Sequence, residues 1–352
     1  MRLWLDVLTP KQLLFFRPVV EELNKLGHEV LATTRHYREV EQLSELLRFD
    51  LKYVGARGGK DPVDQLRASL ERMNSLLPLV EQFQPNISMS VASADCARIS
   101  FGVRCKHVAV SDSPHSVIAG KLSLPFSHHL LTPWIIPYLA WYRFGLQRRE
   151  ITKYKALDPA AWLKRPPLSS SEQLKLDRAK PTILVRLEES YAPYMLGTDE
   201  TWPDKVLHKL SSEFGHCNLV ALCRYEDQLE KVQQRFGDRF CVPERVVDGA
   251  GLIRQSDVFI GMGGTMTTEA ALIGVPTISA YQGYGLYTER YLSTSGLLLR
   301  THNVERLSNL VRKCLTPRYK KHCTRKAKRV LDSMEDPVER IVSYVVTKEN
   351  FL

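Results

Sequence analysis

Residues 257–281, DVFIGMGGTMTTEAALIGVPTISAY, pass from a short apolar run through clustered glycines into a helix-forming stretch and out into another apolar run. Asp257 to Ile260 is β-branched and aromatic, and Gly261 to Gly264 breaks it. Thr265 to Ile273 then carries helix formers that stop at Gly274, with Pro276 just beyond. Thr277 to Ala280 reads as the next buried strand. Strand, crossover helix and strand in that order pair in parallel, which commits this part of the chain to an α/β sheet. The turn also has a chemistry of its own. The first backbone N–H groups of a helix lack intrahelical partners and lie at the positive end of its dipole, so a glycine turn there suits an anion such as phosphate. Glu269, one turn in, is placed to accept hydrogen bonds from sugar hydroxyls. The same residues also fit a purely structural role, with the glycines tightening a turn and Glu269 complementing the dipole.

The strand–helix alternation extends along the chain. RLWLDVL is a strand, QLLFFRPVVEELNKLG has helix-spaced apolar residues closing on Gly27, and HEVLATT is the next strand. A helix over Arg38 to Leu47, a strand near LKYVG, a helix from Pro62 to Phe83, a strand NISMSV, a helix through Ala97 and a strand HVAVS follow. ARGGKD, residues 56–61, is a polar loop at a strand end. Between Leu157 and Lys180 the composition turns rich in Pro, Ser and Lys, an interdomain link. A second series then opens with PTILVRL and continues with a helix from Trp202 to Phe214, a strand CNLVALC and a helix DQLEKVQQRF. The expected domains are residues 1–165 and 166–335, with a C-terminal helix at 336–352 packing back on the first. Two doubly wound parallel sheets facing a cleft, with ligands at the carboxyl ends of the strands, are what this order predicts.

At 352 residues the chain is long enough for two cores. No uninterrupted apolar run approaches the length of a membrane span. The start, MRLWLDVLTPKQ, places Asp6 where a signal peptide needs an apolar core, so a cytoplasmic protein is expected. The 7 cysteines form no CxxC pair and no metal-ligand spacing with histidine, which points to reduced structural thiols. The net charge of +10 points to an anionic partner: a nucleotide, a nucleic acid or a lipid headgroup. The basic tail RKCLTPRYKKHCTRKAKR lacks the interleaved aromatics that stack bases, so it reads as a solvated helix face and no nucleic-acid partner is expected.

LDVLTPKQLLFFRPVVEELNKLGHEVLATTR resembles the amino-terminal signature of the two-domain GT-B glycosyltransferases, and IGMGGTMTTEAALIGVPTISAY is similar to their nucleotide-sugar segment. The segment is shared with the non-hydrolysing UDP-N-acetylglucosamine 2-epimerases. TP…FF, SDSPH, LPF…LLTP and GGTMTTEAA together resemble an uncharacterised, largely archaeal family of that superfamily. The resemblance implies that Gly263, Gly264 and Thr265 hold a diphosphate, that Glu269 holds a ribose, and that Met266 belongs to the same nucleotide-sugar-binding segment. It also places Arg186, at the end of ILVRL, in the position of a phosphate-contacting arginine. The epimerase histidine before that arginine is replaced by Val185.

In the amino-terminal half, Thr9, Lys11 and Gln12 occupy the loop after the first strand, where related transferases carry a glycine turn and a histidine that are absent here. Asp112 and His115, in SDSPHS, end a strand, and either is a candidate base for an attacking hydroxyl; they also fit a helix cap and a turn. Ser93 and Asp95 are candidates for the acceptor side, Ser93 fitting a helix cap as well. Residues 130–155 concentrate Trp, Tyr and aliphatics before a basic run, which reads either as buried core or as an interfacial membrane segment, with Pro133 and Pro137 interrupting any long helix.

The expectation is a GT-B enzyme that moves a sugar from a nucleotide diphosphate sugar, a UDP-sugar, to an acceptor hydroxyl. The resemblance implies inversion, and no metal or cofactor is required if the helix dipole and Arg186 neutralise the leaving diphosphate. A lipid-linked acceptor would bring residues 130–155 to the inner face of the membrane. The alternatives are a UDP-N-acetylglucosamine 2-epimerase-like enzyme and a non-catalytic nucleotide-sugar binding protein.

Overall fold

Short strands of near-continuous apolar residues are the mark of parallel sheets covered on both faces, and both halves of the chain build one. The computed structural model describes residues 1–352 apart from 60, 168–173, 175, 189–198, 284 and 349–352. Residues 168–173 and 175 of the Pro, Ser and Lys rich stretch thus lie outside the described residues. Residues 1–165 with 334–352 form one unit and residues 166–333 a second.

The first unit carries β1 (Arg2–Asp6), β2 (Glu29–His36), β3 (Lys52–Ala56), β4 (Ile87–Ser90), β5 (Lys106–Val110), β6 (His129–Pro133) and β7 (Ile151–Tyr154). They lie in the order β3-β2-β1-β4-β5-β6-β7, all parallel. The order reverses between β1 and β4, and ligands of such sheets bind at the carboxyl ends beside that reversal. The helix Pro10–Lys25 buries Leu13, Phe15, Phe16, Val19 and Leu23. The helix Pro337–Lys348 belongs to this unit. Arg165 pairs with Asp336 at 2.9 Å, and the ring of Tyr344 stacks on His129 with centroids 4.6 Å apart.

Residues 130–155 supply β6 and β7 and bury Ile136, Trp141 and Phe144. Most of the stretch is therefore core, and only its middle, with Leu139 76% and Tyr142 41% exposed, presents large apolar side chains to solvent. No helix among the described residues is long and apolar enough to cross a membrane.

The second unit carries β8 (Thr182–Arg186), β9 (Asn218–Leu222), β10 (Val258–Gly261), β11 (Thr277–Ser279) and β12 (Leu298–Arg300), in the order β12-β11-β10-β8-β9 and again parallel. Here the reversal falls between β8 and β10. Its core joins Ile183, Val185, Leu219, Ala221, Val258 and Ile260 from the strands to Trp202, Val206, Leu210, Leu307 and Val311 from the helices.

Candidate functional site

The glycine turn leaves β10 at the reversal point of the second sheet. Gly261 pairs with Arg186 of β8, and the N–H of Met262 donates to the carbonyl of Arg186 at 3.0 Å. Gly263 (φ 104) and Gly264 (φ 82) both adopt left-handed backbone that other residues reach only under strain. Gly261 is required by space: a Cβ there would lie 2.0 Å from Oγ1 of Thr267. Gly264 is the N-cap of the helix Thr265–Ile273, and no side-chain capping bond is present there among the described residues. The first N–H groups of this nine-residue helix are therefore left for a ligand or water. A Cβ on Gly264 would meet no atom of the described residues within 4 Å, so among them the approach to those amides is open. The side chain of Met266 packs against the core beside Leu252 and Phe259, so this residue offers the site its backbone. Glu269 is 3% exposed, one turn below the amides.

Four residues beside the turn were not singled out from the sequence. A Cβ on Gly263 would come 2.9 Å from the ring of Tyr281, so that ring closes one wall. Glu289 is buried beside Ser279, whose Oγ donates to it at 2.8 Å, and burial raises its pKa against Ser279 and Arg300. Arg300 donates to the carbonyl of Tyr281 at 3.3 Å. Glu188 follows β8; burial pushes its carboxyl up to about 7, opposed by a hydrogen bond from Gln282 and aided by the charges of Asp199 and Glu200. Residues spread from Glu188 to Arg300 carry no local motif, and only the sheet order brings them together.

Arg186 sits as expected at the end of β8, but its guanidinium donates to the carbonyl of Cys223 at 2.9 Å and of Leu222 at 3.4 Å, on the β9 side. Its backbone, rather than these side-chain bonds, joins it to the glycine turn. A sequence pattern fixes the position of a strand-end side chain but not which neighbouring strand it turns toward.

In the first unit the residues after β1 and β5 meet. Nζ of Lys11 lies 2.7 Å from Asp112 and 2.8 Å from Asp158, an ammonium shared by two carboxylates. Burial disfavours the charge of Lys11, yet the two carboxylates raise its pKa overall. Burial also pushes Asp112 up, and the Lys11 ammonium with a hydrogen bond from Ser113 outweighs it, so this carboxyl is held below the usual range. Asp158, most deeply buried and repelled by Asp112, rises to about 6 despite Lys11 and the hydroxyl of Tyr154, which donates to it at 2.7 Å. His115 lies in the turn before the helix Val117–Ser123, whose N-cap position is held by Ser116, without a side-chain capping bond, and not by Asp112. Burial lowers its pKa; Asp112 pulls it up, and Lys11 and Arg143 push it down again. The imidazole is neutral near pH 7 and able to accept a proton.

Three expected acceptor-side residues make structural bonds. Gln12 is buried; its Oε1 accepts from the N–H of Leu8 at 2.6 Å and its Nε2 donates to the carbonyl of Val91, which ties the β1 loop to the end of β4. Ser93, 1% exposed, caps the helix Ala94–Gly102 and donates to Asp6 at 2.7 Å. Asp95 pairs with Arg72 at 3.0 Å. Thr9 is the N-cap of the helix Pro10–Lys25 without a side-chain capping bond, and stays half-exposed beside Lys11.

Residues 1–349 match the model of a family described as "Protein of unknown function (DUF354)". An uncharacterised protein of Methanocaldococcus jannaschii is 26% identical over 315 residues, 88% of this chain and 90% of that protein. A putative UDP-N-acetylglucosamine 2-epimerase from Listeria monocytogenes superposes with a TM-score of 0.78 at 14% identity, covering 99% of this chain and 96% of that one. The glycosyltransferase VinC, solved in complex with dTDP, gives 0.61 at 14% identity, covering 99% and 100%. Both sheets and their order are those of the GT-B fold.

Proposed function

The chain belongs to the DUF354 family, and on that premise we propose that it transfers a sugar from a nucleotide diphosphate sugar, a UDP-sugar, to an acceptor hydroxyl. The observation that carries this reading is the uncapped helix N-terminus at Gly264, opening at the reversal point of its sheet. The diphosphate lies on the N–H groups of Gly264, Thr265 and Met266, and Glu269 takes the ribose. Tyr281 bounds the donor sugar. The UDP-sugar names and the dTDP of structurally similar proteins support a nucleotide diphosphate as the ligand class.

His115 is the base in this reading. It takes the proton of the acceptor hydroxyl as that oxygen bonds to the anomeric carbon. The bond from that carbon to the diphosphate breaks, and the leaving charge falls on the amides and the helix dipole. One displacement inverts the carbon. Asp112, spent on Lys11, raises the pKa of the histidine through its charge instead of accepting the proton itself. An acceptor linked to lipid fits the exposed Leu139 and Tyr142 and the basic residues Arg148 and Arg149 beside them.

A second reading, 2-epimerisation of a UDP-sugar, is favoured by the higher TM-score of the Listeria epimerase and opposed by Val185, where the epimerases place a histidine. Incubation of UDP-N-acetylglucosamine with the protein in heavy water separates the two. Transfer predicts no deuterium at carbon 2 without an acceptor; its incorporation would assign the epimerase reaction.

A further inference from the structure

The carboxyl ends of β6 and β7, at one edge of the first sheet, carry two cations on one aromatic ring. Thr132 of β6 pairs with Lys153 of β7, and the N–H of Trp134 donates to the carbonyl of Tyr154 at 2.8 Å, so the two strands end together. Lys153 is half-buried on the edge strand. Its Nζ donates to the carbonyl of Trp134 at 3.4 Å and lies 4.1 Å from the ring centroid of Tyr138. The guanidinium of Arg148, from the short 3-10 turn Arg148–Glu150, has its Cζ 5.2 Å from the centroid of the same ring.

The ring gathers the two cations without neutralising them. A π-face attracts each through its quadrupole and carries no net charge of its own. Neither Lys153 nor Arg148 makes an ion pair among the described residues. Burial, and then the charge of Arg148, lower the pKa of Lys153, and no carboxylate among the described residues offsets them. Glu150, the nearest acid in sequence, is turned to the N–H of Gln147, which donates to its Oε2 at 2.7 Å in a capping box. Lys153 uses one of its three donors on Trp134, and the guanidinium of Arg148 donates no hydrogen bond among the described residues.

The surroundings of the ring suit an anion carried on an apolar chain. Leu139 follows Tyr138 directly, Tyr142 lies one turn on, and both are exposed. A bare anion has no use for them, whereas an apolar chain has a surface to lie on. The segment is also fastened to the turn that carries His115: the guanidinium of Arg143 donates to the carbonyl of Pro114. β5, which leads into that turn, ends at the same edge as β6 and β7.

We propose that Lys153 and Arg148, aligned on Tyr138, hold a phosphate group of the acceptor, and that this phosphate is borne by an apolar chain lying over Leu139 and Tyr142. A point-like ammonium and a planar guanidinium fork together match the several oxygens and multiple charge of a phosphate better than the two oxygens of a carboxylate. The word acceptor rests on the transfer reading above; the subsite itself rests on the two cations, their shared ring and the exposed apolar side chains. It belongs to the first unit, whereas the amides of Gly264 and Thr265 belong to the second.

The test is calorimetric titration of the full chain with geranyl phosphate, geraniol and inorganic phosphate, each with and without saturating UDP. Geranyl phosphate should bind about tenfold or more tighter than either geraniol or inorganic phosphate, and UDP should not displace it. Lys153→Gln and Arg148→Gln should each weaken geranyl phosphate by about tenfold or more through a lost charge-assisted hydrogen bond, with UDP affinity unchanged. Arg148→Lys should lose less. Leu139→Ser should weaken geranyl phosphate and leave inorganic phosphate as it was, which separates the apolar contact from the charge. Geraniol or inorganic phosphate binding as tightly as geranyl phosphate, unchanged affinity in both Gln variants, or displacement of geranyl phosphate by UDP would each overturn the proposal. If UDP itself fails to bind, the transfer reading falls, while geranyl phosphate binding to wild type and variants still decides the subsite.

Discussion

His115 and Asp112 lie three positions apart, yet their charges answer to different neighbours. Asp112 is held ionised by the ammonium of Lys11, whereas burial and two nearby cations keep His115 neutral. A base works in its deprotonated form, so kcat/KM should rise with pH through a midpoint below 6.5, the ordinary imidazole value, and be flat at neutral pH. Asp112→Asn removes the one charge that raises the His115 pKa, so the midpoint should move further toward acid; a midpoint that stays in place would show that the histidine is not the titrating base. His115→Asn should lower kcat by about 10²- to 10⁴-fold while UDP affinity by calorimetry is unchanged. Lys11→Met leaves Asp112 and Asp158 buried without their shared cation. The expected cost is about 3–5 kcal/mol, read in urea unfolding at pH 7 and shrinking in acid as both carboxyls take up protons. Glu269→Gln should weaken UDP by about tenfold through one lost charge-assisted hydrogen bond.

At the scale of elements, the helix Thr265–Ile273 depends on a backbone that only glycine adopts freely. Gly264→Ala meets no clash, so its effect isolates strain at φ 82, ψ 175, of about 1–3 kcal/mol, and a loss of UDP affinity exceeding tenfold as the amides turn away. Melting curves and calorimetry on the one variant read both; full UDP affinity would mean that the amides hold nothing. This helix and its strands were legible in the sequence because stop signals flank them: Gly261 to Gly264 before and Gly274 with Pro276 after. The helix Pro62–Phe83 was legible for the same reason, opening at Pro62 under an Asp61 cap. β6 and β7 were not, because each is only four or five residues long and lies in a stretch whose aromatics suit a membrane interface as well as a core. The cluster of Lys11, Asp112, Asp158 and Tyr154 was half legible. Lys11 and Asp112 stand at visible strand ends, whereas Asp158 and Tyr154 join them only through the position of β7 at the sheet edge.

Across the whole molecule, the surplus of basic residues and an exposed apolar face formed by two helices bear on where the protein works. The helices Val117–Ser123 and Leu139–Tyr142 expose Ile118, Leu122, Leu139 and Tyr142, and the ring of Phe144 lies directly against Gly120, so the segments adjoin. Lys121, Arg143, Arg148 and Arg149 are exposed around them. The protein should co-sediment with vesicles of phosphatidylglycerol but not of phosphatidylcholine, and Ile118→Ser with Leu139→Ser should abolish the association. Equal recovery with both vesicle types would leave lipid out of the reaction. The central claim, a nucleotide diphosphate held by main-chain amides, is tested most directly by a crystal structure of the protein soaked with UDP. Phosphate oxygens should lie about 3 Å from the N–H groups of Gly264 and Thr265, with the ribose on Glu269; electron density for UDP elsewhere, with this turn filled by a side chain, would contradict the account.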